Sequence, residues 1–304
     1  MKRFLVISII ALSILLSSCS NKADNINAES IESVNTAVYK NEKQTVLADC
    51  INNYILDYEF DIDTSTNYTV IRVFKQKTDG SFQYPFVYAP NLASKATKST
   101  LDMMNGKNFL LAINAGVFDV TTLLPDGIVI QNSKVVCNSA STVHPLCKPL
   151  TINSNGDLSY AEPDADANEL VKNGIVSAVC GFMPIIIDYK AVSQNEWNNV
   201  EHYDQKVQRQ IIGQFENGDY AIITCEGRGF QNSLGWSILD AQHVCQKLGL
   251  KFAYNLDGGG STETLLGKKQ VNSIYEGTTG RIVPTYIVFN GSVSFENQNL
   301  SQSE

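Results

Sequence analysis

Beyond Tyr68 the apolar residues fall in short blocks separated by turn residues, the rhythm of strands rather than of long helices. The block Tyr68–Phe74 (Tyr-Thr-Val-Ile-Arg-Val-Phe) is β-branched and aromatic, and the turn Thr78-Asp79-Gly80 follows it. Phe109–Ile113, Gly127–Gln131, Ile185–Ile187 and Thr285–Phe289 read as further strands. Gln210–Phe215 and Tyr220–Cys225 flank Asn217-Gly218, a strong hairpin signal because both residues tolerate the left-handed turn conformation. One helix is well marked. Ser237 with Asp240 three residues on predicts a capping box, and Ile238, Ala241, Cys245 and Leu248 form one apolar stripe that Gly249 ends. Strand Phe252–Leu256 comes next and runs into Asp257-Gly-Gly-Gly-Ser261, with another strand over Thr262–Leu266. A second helix is predicted around Ala93–Met104. Strands do not alternate regularly with helices, so the pattern predicts an α+β fold with a mainly antiparallel or mixed sheet and a few packed helices, in a single large domain.

The two ends of the chain read differently. Met-Lys-Arg, an apolar run Phe4–Leu16 and Leu16-Ser-Ser-Cys19 have the layout of an export signal, and small residues before a cysteine resemble a bacterial lipobox. The run is too short to span a bilayer. The expectation is a signal peptide over 1–18, lipid on Cys19, a polar tether over 19–45, a domain over 46–290 and a polar tail over 291–304. The chain would then be exported and lipid-anchored to the bacterial cell envelope, attached to a membrane rather than spanning it. At 43% hydrophobic and 18% charged, the chain has enough apolar material for a large core. A net charge of −8 disfavours nucleic acid as a partner. Of the seven cysteines, Cys180, Cys225 and Cys245 sit in apolar stretches, and only Cys137 and Cys147, in a loop-like stretch, are candidates for a bridge.

Candidate chemistry gathers in the second half of the chain. Gly258, Gly259 and Gly260 beside Asp257 allow a sharp turn and close approach of a ligand, and successive amides there would suit an anion nest; a permissive turn between strands is the plainer reading. Arg209, Arg228 and Arg281 are three of only five arginines, each beside a glycine or at a strand end; together they would bind phosphate or carboxylate, and apart they would be ordinary surface or ion-pair residues. Asn114-Ala-Gly-Val-Phe-Asp119 places an amide and a carboxylate on a glycine-containing turn, and Glu226-Gly-Arg228 repeats that layout at another strand end. Other mechanisms find no support. There is no G-x-S-x-G elbow, and His144, His202 and His243 have no metal-binding spacing; His243 lies off the apolar stripe of its helix. Asp164-Ala-Asp166 begins like a calcium loop but lacks the required glycine and closing glutamate. The sequence requires no cofactor; a divalent cation stays open, though no ligand spacing supports one.

Four segments together resemble the phosphodiester glycosidase family, which includes the mammalian mannose-6-phosphate uncovering enzyme. They are Ile113–Asp119 with Pro125–Ile130, Gln208–Gly213 with Thr224–Arg228, Asn255–Thr262, and Gly280–Pro284. Glu226 stands where many relatives carry Asp. The resemblance spans about Phe109 to Phe289 and implies hydrolysis of a sugar–phosphate diester at the anomeric carbon. It implies Asp257 as nucleophile or base, with Asp119 or Glu226 second. Arg209, Arg228 and Arg281 would hold phosphate, the 258–260 glycines would border the ligand, and Asn114 and Ser261 would hold hydroxyls or phosphate oxygens. Two alternatives stay open: a non-catalytic glycan-binding surface lipoprotein, which would show no turnover, and a metal-dependent phosphodiesterase, which would place label from water in the phosphate.

Overall fold

The computed structural model describes residues 37–41, 44–48, 54–77, 79–90, 107–197, 200, 202–275 and 280–291. The signal segment, Cys19 and the helix expected around Ala93–Met104 lie outside the described residues. Two compact units divide the chain. The smaller takes in 1–51 and 295–304. Its described part is an antiparallel hairpin, Ala37–Asn41 with Gln44–Ala48, which overlaps the stretch read as a tether. The larger unit runs from Asn52 to Ser294.

Within the larger unit every strand pairing among the described residues is antiparallel. A seven-stranded sheet has the order Lys190–Ala191, Met183–Ile187, Phe252–Asn255, Gln210–Gln214, Tyr220–Cys225, Thr66–Val73, Tyr54–Asp61. Its centre is the Asn217-Gly218 hairpin, with Gly218 at φ +88° and Gln214 opposite Tyr220. Every residue of both hairpin strands is buried, since the sheet is covered on both faces. One face packs against helix Ile238–Lys247 through Ile211, Ala221, Ile223, Ile238, Ala241 and Cys245. The capping box is present as read: Ser237 Oγ accepts from Asp240 N, and the Asp240 carboxylate accepts from Ser237 N. Gly249 at φ +73° closes the helix, with Leu250 N donating back to Cys245 O.

The opposite face of the hairpin meets a five-stranded sheet of order Lys269–Gln270, Thr264–Leu266, Phe109–Asn114, Tyr286–Asn290, Phe86–Tyr88. Tyr220 packs edge-on against Phe289 across this junction, 5.3 Å between ring centres. A buried polar tie crosses it too: Gln210 bonds to Thr224 and Thr264, whose hydroxyls lie 2.7 Å apart. Burial without partners would cost each of these groups, so the tie sets how the sheets align. A third sheet pairs Lys134–Cys137, Val129–Gln131, Ile175–Val179, Leu150–Asn153 and Leu158–Tyr160. Asp166 caps the short helix Ala167–Lys172, which is the work the calcium-like acidic stretch performs. The α+β, antiparallel expectation holds. Strand Tyr54–Asp61 was not expected: it alternates Asp57, Glu59 and Asp61 with apolar residues at the edge of the large sheet.

Candidate active site

Register places several strand ends side by side. Gln210 pairs with Thr224, Ile211 with Asn255, Thr264 with Ile113, and Tyr286 with Asn114. The residues just beyond these ends, from segments far apart in sequence, therefore meet at one end of the two sheets. There a cleft of about 260 Å³ opens, lined by Val117, Phe118, Val143, His144, Phe182, His202, Gln205, Arg228, Asp257, the three glycines and Arg281 among others.

Asp257 is the carboxylate of this cleft. Its backbone is held twice: Asp257 N donates to Ala115 O at 3.0 Å, and Asn114 Nδ2 donates to Asp257 O at 2.7 Å. Asn114 Oδ1 also accepts from Glu263 N, so this buried amide ties two strands to the acid. Asn114 is thus a positioning residue, and not the hydroxyl ligand that the resemblance implies. The Asp257 carboxylate accepts from Gly258 N at 2.9 Å and from the Ser261 hydroxyl. Burial pushes its pKa up from 3.8 to about 6, while the Ser261 bond and the Arg281 charge pull it partly back. At pH 7 it is mostly ionised yet basic for a carboxylate, as a general base or nucleophile requires.

The glycines serve the arginines. A Cβ on Gly260 would stand 2.6 Å from Arg281 Nη2, and one on Gly259 would stand 3.0 Å from Arg228 Nη2. Gly259 also has φ +56°. Both guanidinium groups thus lie on the bare backbone of the turn that follows Asp257, and Arg281 is near enough to act on its charge. Arg281 Nη1 donates to Ser261 Oγ at 3.2 Å. Arg228, itself at φ +56°, stacks over Tyr275 at 4.3 Å. Most amides of the expected anion nest are already engaged: Gly258 N bonds to Asp257, Gly259 N to Gln208 O and Ser261 N to Gly258 O. The positive charge comes from side chains instead.

The remaining expectations part company here. Arg209 borders the cleft, but its Nε donates to Trp236 O and its Nη2 to His202 O and Gln205 O. It clamps the loop that carries His202 and Gln205, and burial lowers its pKa to about 10. Asp119 does not border the cleft; its carboxylate accepts from Thr121 N and Thr122 N in a turn, which holds its pKa down. Glu226 is buried and accepts from Ser273 N at 2.8 Å and Gln231 Nε2 at 3.3 Å, bracing the segment that carries Tyr275. Neither of these second-choice carboxylates faces Asp257 across the cleft. His144 and His202, set aside on spacing, both line it. They arrive on separate loops, so no local spacing could have paired them. The loop with His144 is fastened by Asp126, which accepts from Ser141, Thr142 N, Thr142 Oγ1 and Val143 N. Among the described residues, no group of three or more His, Cys, Asp or Glu side chains converges as metal ligands would.

The family model described as phosphodiester glycosidase matches residues 107–290, a span that holds this whole cleft, and the chain belongs to that family. A Bacillus subtilis (strain 168) relative, the SPbeta prophage-derived uncharacterized protein YomE, is 30% identical over 133 residues. That match covers 42% of this chain and 20% of YomE, so the chain spans about a fifth of the curated relative's length. The catalytic domain of zebrafish N-acetylglucosamine-1-phosphodiester alpha-N-acetylglucosaminidase, auto-inhibited by its pro-peptide, has a similar fold. Its TM-score is 0.62 at 17% identity, over 84% of this chain and 87% of that one. A hypothetical protein from Synechocystis matches at TM-score 0.62 and 14% identity, over 78% of this chain and 62% of the other.

Proposed function

Taking the chain as a phosphodiester glycosidase family member, we propose that it hydrolyses a sugar–phosphate diester at the anomeric carbon. The observation that carries this reading is one basic carboxylate, Asp257, flanked by two guanidinium groups, Arg228 and Arg281, on one turn. Glycosidases that expel an alcohol use two carboxyl groups, one to protonate the leaving oxygen. A phosphomonoester leaving group needs less help, because its second pKa is near 6. What it needs is neutralisation: the diester carries one negative charge, and the departing monoester carries nearly two. Two arginines are placed to strengthen their hold as that charge grows, which is transition-state stabilisation. Asp257 attacks the anomeric carbon or takes the proton from the water that does. By analogy with the zebrafish enzyme's name, an N-acetylglucosamine phosphodiester is the first substrate to try. On the lipobox-like Leu16-Ser-Ser-Cys19, the chain acts at the bacterial cell envelope, held by lipid on Cys19.

The test is hydrolysis of a panel of sugar-1-phosphodiesters in ¹⁸O water. Label recovered in the sugar supports cleavage at the anomeric carbon. Label in the phosphate would replace this reading with a phosphodiesterase, and no turnover of any member would replace it with a glycan-binding role.

A further inference from the structure

Cys147 and Cys180 are far apart in sequence, and neither has a role in the chemistry above. Antiparallel pairing of Leu150 with Val179 brings their two segments together, and Lys148 N donates to Phe182 O just beyond it. Tyr254 closes the seam from the large sheet: its hydroxyl donates to Lys148 O and accepts from Gly181 N. Between these bonds the two thiols, both free in this structure and each only 2% exposed, lie close enough for each to act on the other's charge. Cys137, the partner expected for Cys147, instead lies beside Ser139 with its thiol 3.4 Å from that hydroxyl. Cys225 is buried in strand Tyr220–Cys225 and Cys245 on the helix Ile238–Lys247.

We propose that Cys147 and Cys180 form a disulfide that braces the histidine wall of the cleft. Cys147 follows the loop that carries His144, and its N–H bonds back to His144 O. Cys180 precedes Phe182, on which the His144 ring packs at 4.8 Å. A bond between the sulfurs would join both sides of that wall covalently. The oxidant is a disulfide donor. One cysteine thiolate attacks a donor sulfur and expels a thiolate, and the second cysteine then attacks the mixed disulfide and expels another. Two protons leave the protein, and two electrons pass to the donor. The neighbouring Cys180 thiol, and then burial, raise the Cys147 thiol pKa, so exchange in the folded protein is slow and the bond forms as the chain folds. This inference stands apart from the catalytic reading and survives if that reading fails.

The experiment refolds the full chain from denaturant, once with mixed reduced and oxidised glutathione and once with reductant alone. Non-reducing peptide mapping of the oxidised sample is expected to show Cys147 joined to Cys180, with Cys137 alkylated. The oxidised protein is expected to melt several degrees above the reduced one and to resist proteolysis between residues 138 and 146. Cys147→Ala with Cys180→Ala should erase both differences. Alkylation of both cysteines after oxidative refolding, or linkage of either to Cys137, overturns the proposal. So does a Cys147–Cys180 bond whose reduction changes neither melting nor cleavage, because such a bond braces nothing.

Discussion

Replacing Asp257 by Asn separates catalysis from stability. The wild-type carboxylate titrates near 6 instead of 3.8 because it is buried. A group with a raised folded-state pKa contributes stability below its unfolded pKa, and that contribution is lost as pH rises through the folded one. The window is therefore about pH 4 to 6, and above it the ionised carboxylate costs the fold. A shift from 3.8 to about 6 at about 1.4 kcal/mol per unit makes that cost about 3 kcal/mol. Asn escapes it but weakens the bonds from Gly258 N and Ser261, at about 1 kcal/mol. Above pH 7 Asp257→Asn is thus expected to be more stable by about 1–2 kcal/mol, which raises the melting midpoint by a few degrees. Near pH 4 the advantage should vanish, since both side chains are then neutral. Turnover should fall about a hundredfold or more at every pH, the scale of losing a general base. The assay is a set of thermal melts from pH 4 to 8 beside hydrolysis of a sugar-1-phosphodiester. A variant that melts below wild type by the same amount at all pH values would refute the raised pKa, and one that retains turnover would refute its use in catalysis.

Four further outcomes follow from the same geometry. The pH profile of kcat/KM should fall on its acid side with a midpoint near 6, and Ser261→Ala should move that midpoint upward by removing a bond to the charged form. Arg281→Ala should weaken binding of a sugar phosphodiester about tenfold or more while sparing the neutral sugar, as calorimetry of both ligands would show. Arg209→Ala, by contrast, should lower the melting midpoint and weaken both ligands alike, because its guanidinium holds backbone carbonyls and not the ligand. Gly260→Ala should mimic Arg281→Ala in the binding assay, since its methyl group would displace that guanidinium.

Local patterns were enough for the central elements, though not for the edge strand Tyr54–Asp61 or for Leu150–Asn153 and Leu158–Tyr160. Tyr220–Cys225 forms the strand read from its β-branched run, and Ser237 with Asp240 forms its capping box. Both are decided by neighbours within a turn or across one hairpin. The Asp257-Gly-Gly-Gly-Ser261 stretch also stood out, because three glycines in a row suit either a permissive turn or the close approach of another group to the backbone. What presses there, two guanidinium groups, was not local information. Nor were the differing fates of the arginines. Arg209 and Arg281 look equivalent in sequence, yet one is enclosed by carbonyls from 202, 205 and 236 while the other lies on Gly260 beside Asp257. The nearness of Cys147 to Cys180, and the arrival of His144 and His202 at one cleft, likewise depend on which loops the sheets bring to one end. A carboxylate's pKa and a cation's availability are set by burial and by partners more than a hundred residues away. Periodicity carries no trace of those distances, so the central hairpin and helix were legible in the chain and the roles of its charged side chains were not.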